Sequence, residues 1–358
     1  MWNDKRVIDL LGIEHPIIQA PMAGSTNPKL VATVCNADGL GGLGAAGIAP
    51  DDLRSVIREI RALTDRPFNV NLFNRSTEEY DSETKPGPRF TELLKTYHCE
   101  MGLGPIPDPV PLFGPADNQL EVLIDEKIPV ISFHFGVDAQ TVARAKQAGA
   151  KVLCSATTLS EARLLEKAGV DAIIAQGAEA GGHRGTFRGD YRQALVGTLA
   201  LVPRMVDEVS VPVIAAGGIM DARGIVACLA LGASAVQMGT AFLGCPEATV
   251  TPAWRDVLSA AEAEITVVTE VISGKPARGL RNRYINEMED VDEPLLPYPA
   301  QFSVSRVLRN ESAKRGDPSF IAMWAGQGVG LFKPQPAAEL ISQLVADSYQ
   351  LISHLAKG

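Results

Sequence analysis

The amino-acid sequence predicts an α/β protein built on a closed (β/α)₈ barrel, the TIM barrel, with a smaller α-rich domain over one end. Three observations predict this class. Short apolar runs rich in Val, Ile and Gly alternate with helix-like segments. The runs are nearly continuously apolar, as expected of parallel strands covered on both faces. Eight of them occur before about residue 243, the usual size of such a barrel, and they fit it better than an open doubly wound sheet.

The strands and helices follow one another in regular order. Amphipathic helices are predicted between most strands, for example over 138–150, 159–170 and 221–233. Several of these helices close on a glycine before the next strand, which is a common helix stop. The predicted strands are 16–22, 39–46, 68–73, 129–136, 151–157, 171–177, 211–218 and 235–242, and the stop glycines are Gly149, Gly169 and Gly232.

Two segments do not fit the repeat and suggest the domain organisation. We expect residues 1–249 to form the barrel, with a long excursion at about 74–128 that includes the proline-rich stretch 103–115. Residues 250–358 should be mostly helical, lying over the barrel end where the strands terminate, with the final helix packing back on the barrel. Reactive sites of such barrels lie at that end, so both additions would cover a pocket there.

Composition excludes several classes of function. The 358 residues are 46% hydrophobic and 21% charged, as in ordinary globular proteins, and the net charge of −9 comes with no basic cluster for nucleic acid or a membrane surface. No signal peptide or membrane-spanning run is visible. The five cysteines, Cys35, Cys99, Cys154, Cys228 and Cys245, are scattered without a CxxC motif. We therefore expect no metal site, free thiols and a cytoplasmic location.

The stretch 171-DAIIAQGAEAGGHRG-185 carries the first chemical signal. It places Gln176 at the end of the sixth predicted strand, and Gly181, Gly182 and His183 in the loop on the reactive end of the barrel. Glycine loses more backbone freedom on folding than any other residue, so such a loop needs a reason. Close approach of main chain to a ligand, with His183 exposed beside it, is the interpretation that we favour.

The seventh and eighth strands end in glycines as well. Gly217 and Gly218 end one strand, and the other carries Gln237, Met238, Gly239 and Thr240. Bare main-chain N–H groups at these two strand ends are where many such barrels hold a phosphate. A tight turn is the alternative for Gly217 and Gly218, but two adjacent glycine-containing ends favour phosphate.

The opposite side of the barrel mouth suggests a flat ring. Pro21 and Met22 follow the first strand and offer an apolar wall, and Asn71 in the third offers an amide that both donates and accepts hydrogen bonds. A flavin mononucleotide would use all of these groups. The residue types alone support only a phosphorylated ligand.

Six segments together resemble the nitronate monooxygenase family, formerly the 2-nitropropane dioxygenases, and most of all its class I bacterial members. They are IIQAPMAG, FNVNLF, AQGAEAGGHRG, PVIAAGGI, AVQMGTAFL and WAGQGVGL, spread from the first strand to about residue 333. The resemblance implies a (β/α)₈ barrel that binds FMN non-covalently under a smaller α-rich domain. It places the catalytic histidine on His183 and puts Trp324 to Gln327 near the flavin. The strand ends and the resemblance together give the residues that we expect at the FMN site, which are Met22, Asn71, Gln176, Gly181, Gly217, Gly218, Gln237, Met238, Gly239 and Thr240.

The reaction implied by the resemblance explains the histidine. The family oxidises alkyl nitronates, among them propionate 3-nitronate, with O₂ to a carbonyl compound and nitrite, a detoxifying role. A neutral nitroalkane would need a base for its α-proton, whereas a nitronate anion needs a donor for its nitro oxygens. His183 can do either near neutral pH, as neutral imidazole or as imidazolium.

Other side chains have a functional and a structural interpretation. His134 in the fourth strand is either a substrate-side residue or a hydrogen-bonded structural histidine. Tyr284 and Tyr298 either donate to a nitro group or pack. Arg184 either helps to bind a phosphate or the substrate or has no role in the site. Cys154 is a small buried packing residue rather than a nucleophile.

Four rival functions remain to be compared. The flavin-dependent enoyl-acyl-carrier-protein reductases share an EAGGH-type loop, and NADH:quinone reductases are often grouped with the same family. Inosine-monophosphate dehydrogenases need a cysteine after the sixth strand, and residues 177–191 contain none. A flavin or phosphate carrier without catalysis would need the glycines but not His183.

Overall fold

The computed structural model describes residues 2–74, 85–110 and 116–357. Two groups of strands occur in it, eight in a barrel and three in a small antiparallel sheet. The barrel strands are β1 Ile17–Gln19, β2 Gly42–Gly44, β3 Asn69–Phe73, β4 Val130–His134, β5 Lys151–Ala156, β6 Ala172–Gln176, β8 Val213–Ala216 and β9 Ala235–Met238; the others are β7 Gly182–His183, β10 Thr266–Thr269 and β11 Ala277–Leu280.

The eight barrel strands are parallel and closed. Their order is β1-β9-β8-β6-β5-β4-β3-β2, and a parallel bridge between Ile18 and Leu40 joins the two ends. Every one lies inside a predicted strand. The (β/α)₈ barrel expected from the sequence is therefore confirmed.

Strand alternation divides the barrel into a filled interior and an outer layer. Ile18, Leu153, Ile174 and Ile214 belong to an inner cluster that also contains residues of the N-terminal helix, so that helix packs with the interior of the barrel. Their sequence neighbours, such as Ile173, pack outward against the surrounding helices. Because side chains alternate between the two faces of a strand, one strand presents only every second residue to the interior.

The helices begin and end largely as their sequence signals predict. Asp138 and Asp221 accept hydrogen bonds from main-chain N–H groups at the starts of the helices Ala139–Gln147 and Ala222–Ala230, and Thr158 with Glu161 forms a capping box on the helix Leu159–Ala168. The predicted stop glycines all have left-handed φ angles. Helices up to the end of the barrel are α1 Arg6–Leu11, α2 Pro28–Asn36, α3 Pro50–Leu63, α4 Pro88–Glu100, α5 Ala116–Asp125, α6 Ala139–Gln147, α7 Leu159–Ala168, α8 Thr198–Val206, α9 Ala222–Ala230 and α10 Thr240–Leu243.

The part after the barrel contains short helices and an unexpected β-hairpin. Strands β10 and β11 pair antiparallel, and β11 also pairs with β7 in the loop after β6. The expectation that this part is mostly helical did not include the hairpin, because strands of four residues are too short to show a clear sequence periodicity. The helical elements are α11 Pro252–Ala260, α12 Arg283–Glu289, α13 Ala300–Val304, α14 Arg306–Arg315, α15 Ala337–Leu355 and the 3₁₀ turns Ala263–Ile265, Pro318–Phe320 and Gln327–Leu331.

The last helix contacts the barrel helices α2 and α9. Leu340, Ile341 and Leu344 are buried in the same cluster as the outer face of the strands.

The predicted excursion carries α4 and α5. Its residues 75–84 and 111–115 lie outside the described residues, and the second of these ranges is the end of the proline-rich stretch. The division at 249/250 stays a prediction. No helix in the described ranges is long and apolar enough to cross a membrane.

Candidate active site

A cavity of about 400 Å³ opens at the C-terminal ends of the barrel strands. Its size is within the range of roughly 300–1,000 Å³ typical of small-molecule and cofactor sites. Most of the residues singled out in the sequence line it. They are Met22, Asn71, His134, Gln176, Gly181, His183, Gly217, Gly218, Gln237, Gly239, Thr240 and Tyr298.

Two predicted site residues lie elsewhere. The side chain of Met238 is 1% exposed and packs in the outer core, because alternation turns Gln237 inward and its neighbour outward. Tyr284 is 2% exposed and packs near Tyr97, with ring centroids 6.2 Å apart, in the cluster of the helices over the barrel. The side chains of Met238 and Tyr284 therefore pack away from the cavity, which for Tyr284 is the structural interpretation of the two left open, whereas a contact of Met238 with FMN stays a prediction.

Three side-chain amides face the cavity from the ends of barrel strands. Asn71 donates from Nδ2 to the hydroxyl and the carbonyl oxygen of Ser132, at 2.9 and 3.2 Å. Gln176 is bonded to the neighbouring loop. Gln237 differs, because its Oε1 is buried without a hydrogen-bond partner in the described part of the chain. Trp254, which the sequence analysis did not single out, lines the same cavity with an equally unpartnered Nε1.

Gln176 holds the loop that carries His183. Its Nε2 donates to the carbonyl oxygen of His183 at 2.9 Å, and its Oε1 accepts from the N–H of Gly185 at 2.7 Å. Arg184, 1% exposed, turns away from the cavity and donates to the carbonyl oxygens of Gln176 and Gly177. Both side chains therefore position the loop, and an anion-binding role for Arg184 is not supported.

Glu179 holds the other half of this loop, and no sequence motif pointed to this role. Its carboxylate accepts from the N–H of Thr198 at 3.0 and 2.9 Å and from the Thr198 hydroxyl at 2.8 Å, at the N-terminus of α8. A carboxylate at a helix N-terminus satisfies free N–H groups and complements the helix dipole. The main-chain oxygen of Glu179 also accepts from the N–H of Gln327 at 2.9 Å, which ties the WAGQGVGL segment to the loop.

Both ring nitrogens of His134 contact other protein groups, as expected of a hydrogen-bonded structural histidine. Its Nε2 lies 3.1 Å from the carbonyl oxygen of His183, and its Nδ1 lies 2.6 Å from the Ser155 hydroxyl. Since a carbonyl oxygen only accepts, the proton is on Nε2, and Nδ1 accepts from Ser155. Burial lowers the pKa of His134 to about 4, so the ring is neutral near pH 7.

His183 presents its imidazole to the cavity among aromatic rings. The ring centroids of Phe73, Tyr298 and Trp324 lie 5.9, 5.3 and 5.4 Å from its own. Its Nε2 contacts the hydroxyl of Ser273 at 3.0 Å. Burial, and then the nearby charges of His134 and Lys275, lower the pKa of His183 to about 3. An imidazole with that pKa is neutral at pH 7.

The glycines at the ends of β8 and β9 offer main-chain donors to the same cavity. Gly217 and Gly218 have φ angles of +122° and +72°, so the chain does turn sharply here. No hydrogen bond within the described ranges uses the N–H groups of Gly217, Gly218 or Gly239. Gly217 and Gly239 are half-buried and Gly218 is exposed, so their N–H groups are open to a ligand, and a set of such groups at the lining of a cavity suits an anion. The hydroxyl of Thr240 accepts from the N–H of Gly326 at 2.9 Å and keeps its own proton to donate.

Comparisons with known proteins give matches over nearly the whole chain. A family model described as nitronate monooxygenase matches residues 4–347. The chain is similar to the nitronate monooxygenase of Pseudomonas aeruginosa, with 46% identity over 96% of this chain and 98% of that one. Among solved structures it is similar to the nitroalkane oxidase of Streptomyces ansochromogenes, with a TM-score of 0.87, 38% identity and 98% and 99% of the two chains covered. It is also similar to FabK of Thermotoga maritima, with a TM-score of 0.78, 34% identity and 98% of each chain covered.

Proposed function

Because this chain belongs to the nitronate monooxygenase family, we propose that it oxidises alkyl nitronates with O₂ to a carbonyl compound and nitrite, using bound FMN. The observation that carries the proposal is the meeting of His183 with two glycine-containing strand ends at one cavity. A site with only the glycines would bind a phosphorylated molecule. The imidazole adds a group that accepts a proton.

The residues around the cavity fit a flavin. Gln237 contributes an unpartnered buried acceptor and Trp254 an unpartnered buried donor, which a ligand with both kinds of group would satisfy. Gly217, Gly218 and Gly239 would hold the phosphate with their N–H groups, and the hydroxyl of Thr240 would donate to it. Met22 and Asn71 would lie against the ring. When bound, FMN would supply the electron acceptor of the reaction.

His183 would serve as a base rather than as a fixed cation. Its low pKa keeps the imidazole neutral at pH 7 in the free enzyme, so a permanently protonated His183 waiting for an anion is disfavoured. With a neutral nitroalkane, His183 would take the α-proton, and the C–H electron pair would pass into the nitronate. A nitronate needs no such step and should depend less on His183.

The aromatic wall gives this step its environment. Phe73, Tyr298 and Trp324 surround the imidazole and reduce its contact with water. Lower local polarity strengthens each charge interaction that develops during proton transfer. Tyr298 lies close enough to the ring to share the pocket with a substrate.

An oxygen-electrode assay tests the function. We expect the purified yellow protein to consume O₂ and release nitrite when ethyl nitronate is added, with no further increase when NADH is added. A colourless protein that takes up no FMN, or one without nitronate-dependent uptake, would contradict the proposal. Rapid anaerobic bleaching of the flavin by NADH would favour the reductase alternatives instead.

A further inference from the structure

Ser273 contacts the imidazole of His183 from a part of the chain 90 residues away. It lies between β10 and β11, is fully buried, and places its hydroxyl oxygen 3.0 Å from Nε2 of His183. No sequence motif pointed to it. Its contact is with the ring of His183, whereas Gln176 and His134 contact the main chain of that residue.

The hydrogen bonds of Ser273 determine where the protons are. Its hydroxyl oxygen lies 3.0 Å from the carbonyl oxygen of Lys275 and accepts from the N–H of Lys275 at 3.3 Å. A carbonyl oxygen can only accept, so the single hydroxyl proton is directed to it. The contact with His183 must then be one in which Nε2–H donates and Ser273 accepts.

The three-stranded sheet keeps the two side chains in this arrangement. Ala277 pairs with His183 in the register of β11 and β7, and the N–H of Arg184 donates to the carbonyl oxygen of Pro276 at 2.8 Å. At the start of the connection, the N–H of Ser273 donates to the carbonyl oxygen of Glu270 at 3.2 Å. These main-chain bonds hold the segment that carries Ser273 beside the loop that carries His183.

The second ring nitrogen is left for chemistry. Nδ1 of His183 makes no hydrogen bond within the described residues. It is also not one of the buried atoms that lack a partner, and the residue lines the cavity, so Nδ1 is open to the cavity. A neutral imidazole with its proton on Nε2 has its lone pair on Nδ1.

We propose that Ser273 is a positioning residue that holds His183 in the Nε2–H tautomer and thereby presents an unprotonated Nδ1 to the substrate. The substrate in this proposal rests on the proposed function, whereas the tautomer of His183 does not depend on it. In the step itself, the C–H bond of a nitroalkane breaks, its proton bonds to Nδ1, and its electron pair becomes part of the nitronate. The imidazolium then carries protons on both nitrogens, and Ser273 continues to accept from Nε2–H.

Nitrogen NMR of the FMN-loaded protein with ¹⁵N-labelled histidine tests the tautomer directly. His183→Asn identifies the signals of this ring. We expect a protonated, pyrrole-type Nε2 and an unprotonated, pyridine-type Nδ1, with an Nε2 proton protected from exchange with water. In Ser273→Ala that proton should exchange too fast to be seen, and Ser273→Thr, which keeps the hydroxyl, should restore it. Ser155→Ala is the matched control, since it should change the signals of His134 and leave those of His183.

Steady-state kinetics of the same variants provide a second test. In Ser273→Ala we expect kcat for a nitroalkane to fall about tenfold, the size expected for one hydrogen bond, with a smaller effect on a preformed nitronate and recovery in Ser273→Thr. A proton on Nδ1 in the unmodified protein would overturn the proposal, even if no variant folds. An Nε2 proton signal that persists unchanged in Ser273→Ala would overturn it as well. If the expected signals appear in a protein that oxidises no nitronate, the positioning role stands and the proposed function alone fails.

Discussion

The Nε2 of His134 donates a hydrogen bond to the main-chain oxygen of His183 at 3.1 Å. A histidine in barrel strand β4 thus holds the backbone of a histidine in the loop after β6. Both ring nitrogens of His134 are occupied, by this bond and by Ser155, whereas His183 keeps one ring nitrogen without a hydrogen bond within the described residues. Of the two interpretations that the sequence left open for His134, the contacts favour the structural one.

Replacing His183 by Asn should separate binding from proton transfer. The glycine strand ends and the cavity amides remain, so the purified variant should stay yellow. Turnover of a neutral nitroalkane should fall by about 10²–10⁴-fold, the usual contribution of a general base, with a smaller loss for a preformed nitronate. His354→Asn changes an exposed histidine and should behave like the unmodified protein in both assays. Unchanged nitroalkane turnover in His183→Asn would remove this residue from the mechanism.

The pH profile should lack the inflection of an ordinary histidine. A base acts in its unprotonated form, so its contribution is present above its pKa and is lost as the pH falls through it. With the pKa of His183 lowered to about 3, kcat/KM for a neutral nitroalkane should be level between about pH 8 and 5. Initial rates across that interval measure this. A tenfold loss per pH unit below 6.5 would show that the imidazole titrates normally.

Gly185→Ala should disturb the support of His183. A Cβ at Gly185 would lie 2.8 Å from both Cε1 of His134 and the hydroxyl oxygen of Ser155, which is closer than real contacts allow. We expect a loss of about 1–3 kcal/mol in the free energy of unfolding and reduced nitroalkane turnover. Gly104→Ala, where a Cβ would meet nothing within 4 Å, is the control in urea unfolding. Equal stability of the two variants would contradict the close packing of His134 and Ser155 around Gly185.

Gln237→Met should have opposite effects on the free and the FMN-bound protein. The buried Oε1 of Gln237 lacks a partner, so its removal should leave the stability of the apoprotein unchanged or raise it by up to about 1–3 kcal/mol. Affinity for FMN should fall by about tenfold, since the bond that the acceptor would make is lost. By contrast, Gln119→Met removes donors to two carbonyl oxygens and should destabilise the apoprotein. An apoprotein of Gln237→Met as unstable as that of Gln119→Met would show that Oε1 is already satisfied.

The unmodified protein should distinguish FMN from riboflavin, which lacks the phosphate. Hydrogen bonds to a charged group contribute about 1.5–3 kcal/mol each, so binding through the N–H groups of Gly217, Gly218 and Gly239 should make FMN at least about tenfold tighter. Titration of the apoprotein, followed by quenching of flavin fluorescence, measures both dissociation constants. Equal affinities would move the phosphate away from these glycines.

The sequence by itself predicted the barrel because its signals are local. Each strand is a short apolar run, and each helix carries its own start and stop, such as Asp138, Thr158 and Gly169. The position of His183 and of the glycine strand ends followed from the rule that such strands end on one face of the barrel. The same local rule of alternation accounts for the outward position of Met238 next to Gln237, although the sequence motif had grouped them.

Only the tertiary structure decided which distant groups meet. Ser273 reaches His183 because β11 pairs with β7, and Glu179 reaches Thr198 and Gln327 because the loop after β6 lies between α8 and the WAGQGVGL segment. Tyr298 lines the cavity whereas Tyr284 is packed among helices. These contacts join residues far apart in the chain through short elements without periodicity, so they depend on how completed elements pack together rather than on any local pattern.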